Sequence, residues 1–300
     1  MNKGIQLAFI TAFVSGVSIF INKFAVGAIT PPLVFTATKN VGVGLVIIAL
    51  LIFSRKISQL KSLSKQQIKQ LVLIGIIGGS IPFYLFFTGL SQIPAINAAL
   101  IHKTLVLWVA LFGLRFLKEN ISYLQLGAIF LLFASNALVG GFSGLSFSTG
   151  ELMILAATLF WAVENIIAKK ALKTLDPDLL TGARMGFGSL ILLAFSFIFY
   201  PQSVAQVFSL TGTQYFWLGA TALTLLAYVM TWYRALKYAP ATLVTTVLVA
   251  STLVTNVLSA IFITHNFSWE LWLQSGLMVL GIAVFVSEMR KTNLPLLANN

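Results

Sequence analysis

The chain has no cysteine in its 300 residues. Disulfides, thiol nucleophiles and cysteine-ligated metals are therefore excluded. Acids are almost as scarce: seven, against nineteen Lys and Arg and two His. So few ligating side chains leave almost no material for a metal cluster, and no HExxH, no GKS/T phosphate loop and no paired membrane acids occur. ATP-driven work would need a separate subunit. Charge of either sign makes up only 9% of the chain, where a soluble domain carries about 25%. Long polar stretches are missing too. The longest, SRKISQLKSLSKQQIKQ at 54–70, is read as a loop with room for a short surface helix, and no soluble domain fits.

What the chain has instead is apolar length. It is 58% hydrophobic, with 25 Phe and six Trp and a mean hydropathy of +0.96. A spanning helix needs about 20 residues. Ten segments qualify: 5–26, 33–53, 71–90, 95–114, 121–139, 151–168, 179–199, 214–233, 241–263 and 269–287. The first follows Lys3 in the manner of a signal peptide, but it has no small-x-small cleavage site before a polar start, so it counts as helix one. The expected fold class is an all-α polytopic membrane protein with ten transmembrane helices.

The net charge of +12 invites a nucleic-acid partner until the charges are placed. Fifteen cations fall at the termini or in loops that follow even-numbered spans, including Arg55, Lys56, Arg115, Lys169, Lys173, Arg234 and Lys237. The alternate loops hold none. The positive-inside rule turns this bias into orientation, with both termini cytoplasmic. The expected partners are membrane lipids and a small-molecule substrate, with no nucleic acid. The 54–70 loop is open to an anionic-lipid contact.

The chain also matches itself at an offset near 145 residues. PLVFTATK at 32–39 aligns with PDLLTGAR at 177–184, pairing Pro32 with Pro177 and Lys39 with Arg184. GLSQIPA at 89–95 aligns with ALKYAPA at 235–241, pairing Pro94 with Pro240. Five spans per half mean that the second half enters the membrane from the other side. This is the inverted-repeat plan of secondary transporters, with a site near the midplane between repeats. The expected domains are 1–140 and 151–290, joined by a linker at 141–150 and followed by a short cytoplasmic tail at 291–300. Within the linker, GFSG at 141–144 loosely resembles a serine-nucleophile pattern, but Ser143 falls in a predicted outer loop and is read as flexible linker.

Four cations remain: Lys23, Lys39, Lys103 and Arg184. Glu164 is the one deep acid. A charge at the bilayer centre costs at least about 2.5–3.5 kcal/mol and so faces protein or water. Lys103, in AALIHKTLVLWVA at 98–110, lies about 13 Å from either end of its span at 1.5 Å per residue. A lysine stem of about 6 Å cannot reach out from there. It lines a substrate pathway or pairs with an acid. Its neighbour His102 is open to a pathway role or to packing. Lys39 and Arg184, at matched positions, suggest paired roles at opposite mouths, although both could also snorkel. Glu164 is an ion-pair partner for Lys103 or Arg184, or a proton-exchanging carboxyl, and proton coupling stays open. Trp161 shares its face and suits a cavity wall. Asn97, Tyr84, Tyr228 and Tyr233 are weaker lining candidates. Pro82 should kink the third span. Small-xxx-small spacing in GIIGG at 75–79 and GARMG at 182–186 suits close helix approach. No metal or cofactor is expected.

Taken together, these features resemble the EamA-type branch of the drug/metabolite transporter superfamily across residues 1–290. The resemblance rests on the five-plus-five duplication, Pro32 and Pro177 before the second helix of each repeat, Lys39 and Arg184 after them, Pro94 and Pro240 opening the fourth, and FLKENISYLQLGA at 116–128. His265 stands where Glu119 stands in the first repeat. The resemblance implies a plasma-membrane carrier (the inner membrane of a bacterium), monomeric or homodimeric and no enzyme. It would be an exporter or exchanger of amino acids or other small metabolites, working by alternating access. The four deep cations against one deep acid add a bias toward a substrate with a carboxylate or phosphate, so an amino acid or other carboxylate-bearing solute is expected. A passive channel and a non-transport membrane protein, such as a sensor or lipid-handling enzyme, are the competing classes.

Overall fold

Helices built from those apolar runs make up almost all of the computed structural model, which describes residues 3–25, 27–137, 144 and 146–297. In chain order they are α1 (Lys3–Ala25), α2 (Pro32–Phe53), α3 (Lys65–Leu90), α4 (Asn97–Leu117) and α5 (Tyr123–Ala137). The second half supplies α6 (Thr149–Ala171), α7 (Pro177–Phe199), α8 (Gly212–Tyr238), α9 (Ala241–Thr264) and α10 (Trp269–Lys291). The last continues helically to Leu297, where a tail was expected. Among the described residues, nine are long and apolar enough to cross a membrane, and α5 is shorter. Its 15 residues span about 22 Å. The expected continuation at 138–139 and the linker residues 141–143 and 145, Ser143 among them, lie outside the described residues.

Local signals explain where the helices begin. Four starts carry a Ser/Thr with a Glu/Gln three residues on, each satisfying the other's backbone N–H. They are Ser64 with Gln67, Ser122 with Gln125, Ser148 with Glu151 and Thr211 with Gln214. The Ser64 box corrects one boundary. The third span was expected from residue 71, but the capped helix starts at Lys65, with a polar first turn outside the apolar window. The 54–70 loop holds a short 3₁₀ helix, Lys56–Ser62. Pro32 and Pro177 occupy the first helical turn, and Pro94 and Pro240 the cap positions, where a missing N–H leaves no bond unmade.

The packing is that of two interlocked halves. Helix α1 packs on α8 as α3 packs on α6, and α1 meets α9 as α4 meets α6. Helix α3 likewise packs on α7 as α8 packs on α2, and equivalent helices meet directly: α2 with α7, α4 with α9, α5 with α10. A pseudo-twofold axis relating α1–α5 to α6–α10 produces this exchange. The chain is an all-α membrane protein of two inverted five-helix repeats. Its large exposed side chains include Leu45, Phe130, Leu190 and Leu223, an arrangement suited to lipid.

The main buried apolar cluster is off-centre. It joins Ile5, Ile74, Val109, Leu180, Leu236, Val247 and Phe285, all in the half of their helices on the side of the described termini. Polar ties reinforce that end. Lys56 Nζ lies 2.9 Å from Asp176 and 2.6 Å from Asp178, and Arg234 lies 2.6 Å from Asp178. Lys169 Nζ donates to the Leu236 and Ala239 carbonyls at the end of α8 (2.6 and 2.7 Å). Glu119 accepts from the backbone N–H of Ala241 (2.7 Å) and Thr242 (3.1 Å), capping α9. Its repeat counterpart His265 has no carboxylate and sits at φ 50°.

Candidate functional site

Where the core stops, a cavity of about 550 Å³ opens. Its lining comes from α1–α4 and α6–α9, and includes the later half of α1 and α3, the earlier half of α2 and the middle of α6. It therefore lies toward the bundle end away from the termini and reaches past the middle. Its wall is mostly apolar and aromatic, with Phe35, Phe83, Phe86, Phe87, Trp161 and Trp232. Lys39, His102, Lys103, Trp161, Glu164 and Arg184 all line it. Lys39 and Arg184, expected at opposite mouths, share this one space, because matched positions on α2 and α7 meet at the pseudo-twofold axis.

Backbone interruptions bring these side chains in. Helix α4 breaks at Thr104, between Ala95–Lys103 and Leu105–Phe112. The Thr104 hydroxyl turns back to the Ile101 carbonyl (2.6 Å), and Trp108 Nε1 donates to it (3.1 Å). Lys103 is thus the last residue of a half-helix, where unsatisfied carbonyls favour a cation. Helix α9 breaks at Val249–Ala250, so the 146-residue offset that pairs Pro94 with Pro240 also pairs the two breaks. The lysine occurs in only one repeat. No hydrogen bond or ion pair holds Lys103 among the described residues. His102 is held edge-on by rings, 5.5 Å from Phe86 and 5.0 Å from Trp161, with Nδ1 unpartnered.

The third break explains Trp161 and Glu164. Helix α3 is interrupted at Ser80, two residues before Pro82. Proline has no N–H, so the Gly78 carbonyl four residues earlier loses its helical donor. Trp161 Nε1 supplies the replacement at 3.1 Å. A Cβ on Gly78 would stand 2.7 Å from Glu164 Cγ, so only glycine leaves room for that side chain. Glu164 is fully buried. Its Oε1 accepts from the Tyr233 hydroxyl at 2.6 Å, and Oε2 lies 3.5 Å from Arg184 Nη1. Of the two partners expected for Glu164, the structure selects Arg184. Arg184 rides on a widened π turn, Ala183–Phe187, at a seam where a Cβ on Gly79 would strike its own carbonyl oxygen.

Lys39 is 7% exposed. It donates to Asn22 Oδ1 at 3.2 Å and sits 5.2 Å over the Phe35 ring. Asn22 in turn donates to the Ser18 carbonyl (2.7 Å). Asn22 and Ser18 had no distinguishing signal as single polar residues in an apolar run. Of the weaker candidates, Tyr228 lines the cavity, stacked on Trp232 at 5.8 Å. Tyr233 serves Glu164. Asn97 is bound to Glu151 at 3.0 Å, and Tyr84 packs on Phe195 and Phe199. Among the described residues no cluster of metal-ligating side chains occurs.

Comparison with known proteins places this arrangement. The chain matches the EamA-like transporter family twice, over residues 2–141 and 148–287. It is 29% identical over 203 residues to the uncharacterized transporter YyaM of Bacillus subtilis, covering 64% of this chain and 65% of that protein. An uncharacterized transporter of Archaeoglobus fulgidus is 27% identical, over 52% of this chain and 54% of its own. One from Methanothermobacter thermautotrophicus is 28% identical, over 41% and 38%. The matches thus span between about two fifths and two thirds of these relatives. A crystal structure described only as that of a protein superposes with a TM-score of 0.79 at 18% identity, over 94% of this chain and 95% of its own. That likeness is one of fold.

Proposed function

Since this chain belongs to the EamA-like transporter family, within the drug/metabolite transporter superfamily, we propose that it is a secondary carrier. It moves a small carboxylate-bearing metabolite, an amino acid or another organic acid, across the plasma membrane. The observation that carries this reading is the cavity at the pseudo-twofold axis, which holds two lysines without acid partners beside paired helix breaks. Broken helices near the midplane of inverted repeats are where secondary transporters hold substrate.

The side chains divide the work. Lys103 and Lys39 attract and hold the carboxylate. Trp161, with His102 and the Phe83–Phe87 rings, forms the wall for the apolar body. Arg184 and Glu164, locked together, fix α6 against α7. Residues 141–150 join the two repeats. The charge bias supports cytoplasmic termini, and the packed, ion-paired end is then the inner one. The cavity accordingly belongs to an outward-facing state. Rocking of one repeat against the other about the axis would loosen the Lys56–Asp176–Asp178–Arg234 tie and expose the same lysines inward, as export or exchange requires. A passive channel needs a continuous path, whereas here the cavity ends against the buried cluster.

The test is counterflow in liposomes, with pools of amino acids, organic acids and phosphorylated metabolites, with and without a pH gradient. Saturable exchange of a carboxylate pool supports the proposal, and a response to the gradient would turn attention to Glu164 and His102. Flux without saturation or exchange would replace the carrier with a channel.

A further inference from the structure

The two halves of the cavity treat their cations differently. In the second repeat Arg184 on α7 faces Glu164 on α6, at 3.5 Å. The offset of 145 places Lys39 opposite Arg184. The offset of 146, which pairs Lys23 with Lys169 on the adjoining helices, places Ser18 opposite Glu164. Where one repeat has a carboxylate, the other has a serine hydroxyl, and Lys39 is left with the neutral amide of Asn22. Ser18 and Lys39 both line the cavity. Lys103, also unpaired, lines it as well.

The built-in carboxylate, although it lines the cavity, is already engaged by protein partners. Glu164 has no exposed surface, one oxygen bound to Tyr233 and the other facing Arg184. A ligand ammonium would therefore enter a space with two uncompensated lysines and, among the described residues, no carboxylate that is not already committed to Arg184 and Tyr233. Among the described cavity-lining residues, the buried atoms without a hydrogen-bond partner are Asn165 Oδ1, His102 Nδ1, Thr252 Oγ1, Trp232 Nε1, Arg184 Nε and Glu164 Oε2, the last two facing each other's side chain in the ion pair. The first three suit a hydroxyl.

We propose that the ligand is an organic anion without an ammonium group, whose carboxylate takes beside Lys39 the place that Glu164 holds beside Arg184. This rests on the carrier reading above. It narrows the substrate class from carboxylate-bearing solutes at large to 2-hydroxy or unsubstituted acids with an aromatic or branched apolar body, which the phenylalanine-lined wall accommodates.

The experiment uses pairs that differ only at the amine: phenylalanine with 3-phenyllactate, and leucine with 2-hydroxy-4-methylpentanoate. Each is measured in counterflow in proteoliposomes and in direct binding to the purified protein. The hydroxy acid should exchange and bind better than its amino acid by about tenfold or more, since like charges in a cavity are strongly disfavoured. Ser18→Glu, which installs the missing carboxylate, should remove that preference while the protein still melts as a folded species. Should Ser18→Glu fail to fold, Lys39→Gln must narrow the same ratio. Equal handling of each pair, or preference for the amino acid, overturns the anion proposal and leaves the carrier standing. Absence of exchange and binding for both members, with saturable exchange of no carboxylate pool, overturns the carrier reading too.

Discussion

Arg184→Met is the most revealing single perturbation. The Arg184 and Glu164 side chains are 8% and 0% exposed, so their pair belongs to the buried class rather than to surface pairs worth about 0–1 kcal/mol. Removing one partner strands the other. Glu164 would keep a single bond, from Tyr233, with the buried Oε2 left without a partner. Breaking a buried pair in this way costs about 3–5 kcal/mol. At about 2 °C per kcal/mol for a chain of this size, the melting temperature should fall by roughly 6–10 °C. Tryptophan-fluorescence melts of the detergent-purified protein read this directly. The double variant Glu164→Gln/Arg184→Met keeps an acceptor for Tyr233 and buries no charge. It should recover most of the loss, to within about 1–2 kcal/mol of the parent. A single variant that melts like the parent, or a double variant as unstable as the single, would refute the claim that this pair fixes α6 against α7.

Further outcomes follow from the same geometry. Trp161→Phe keeps the ring against Phe83 and His102 but leaves the Gly78 carbonyl without a donor, a loss of about 1–3 kcal/mol in the same melts. Gly78→Ala should destabilise by a similar 1–3 kcal/mol or so through overpacking, against the usual helix preference for alanine, because the added Cβ meets Glu164 Cγ at 2.7 Å. At the packed end, burial lowers the Lys56 pKa but the two aspartates together outweigh it and hold the value above the ordinary one; burial raises that of Asp176, but Lys56 with the Asp178 amide outweighs it and holds the value below. The Lys56 contribution is full below about 10.5 and fades as pH rises through its raised value, while that of Asp176 is full above about 3.8 and fades as pH falls through its lowered one. The tie therefore persists across neutral pH, and its removal needs mutation. Since the chain has no native cysteine, a single Leu225→Cys reports access: Lys56→Met should speed its labelling by a membrane-impermeant thiol reagent from the side of the termini. An unchanged rate would show that the tie does not close that end.

Much of the fold is legible in the sequence because lipid imposes a simple rule, an apolar run of spanning length for each helix, and charge bias punctuates those runs. The repeat is legible through Pro32 with Pro177 and Pro94 with Pro240, positions where proline is fixed by helix starts. Lys103 stands out for the same reason, as a cation too deep to snorkel. The contacts that build the site are less visible. Nothing local links Trp161 to Gly78, since the bond exists only because Pro82 removes a donor on another helix. The choice of Arg184 over Lys103 for Glu164 depends on how α6 and α7 both pack on α3. Lys39 and Arg184 read as separate mouths along the chain and meet only once the halves interlock. Asn22 carries no pattern at all, and only the three-dimensional partner marks it.

The most direct test of the account is carboxylate counterflow by Lys103→Ala in liposomes, beside the parent protein and with folding checked by melting. The account predicts that saturable exchange seen with the parent is abolished or sharply weakened in the variant. Lys103→Arg should not restore it, since a planar guanidinium does not reproduce an ammonium at the end of a half-helix. Parent-like exchange kinetics in Lys103→Ala would contradict the claim that this lysine holds the substrate.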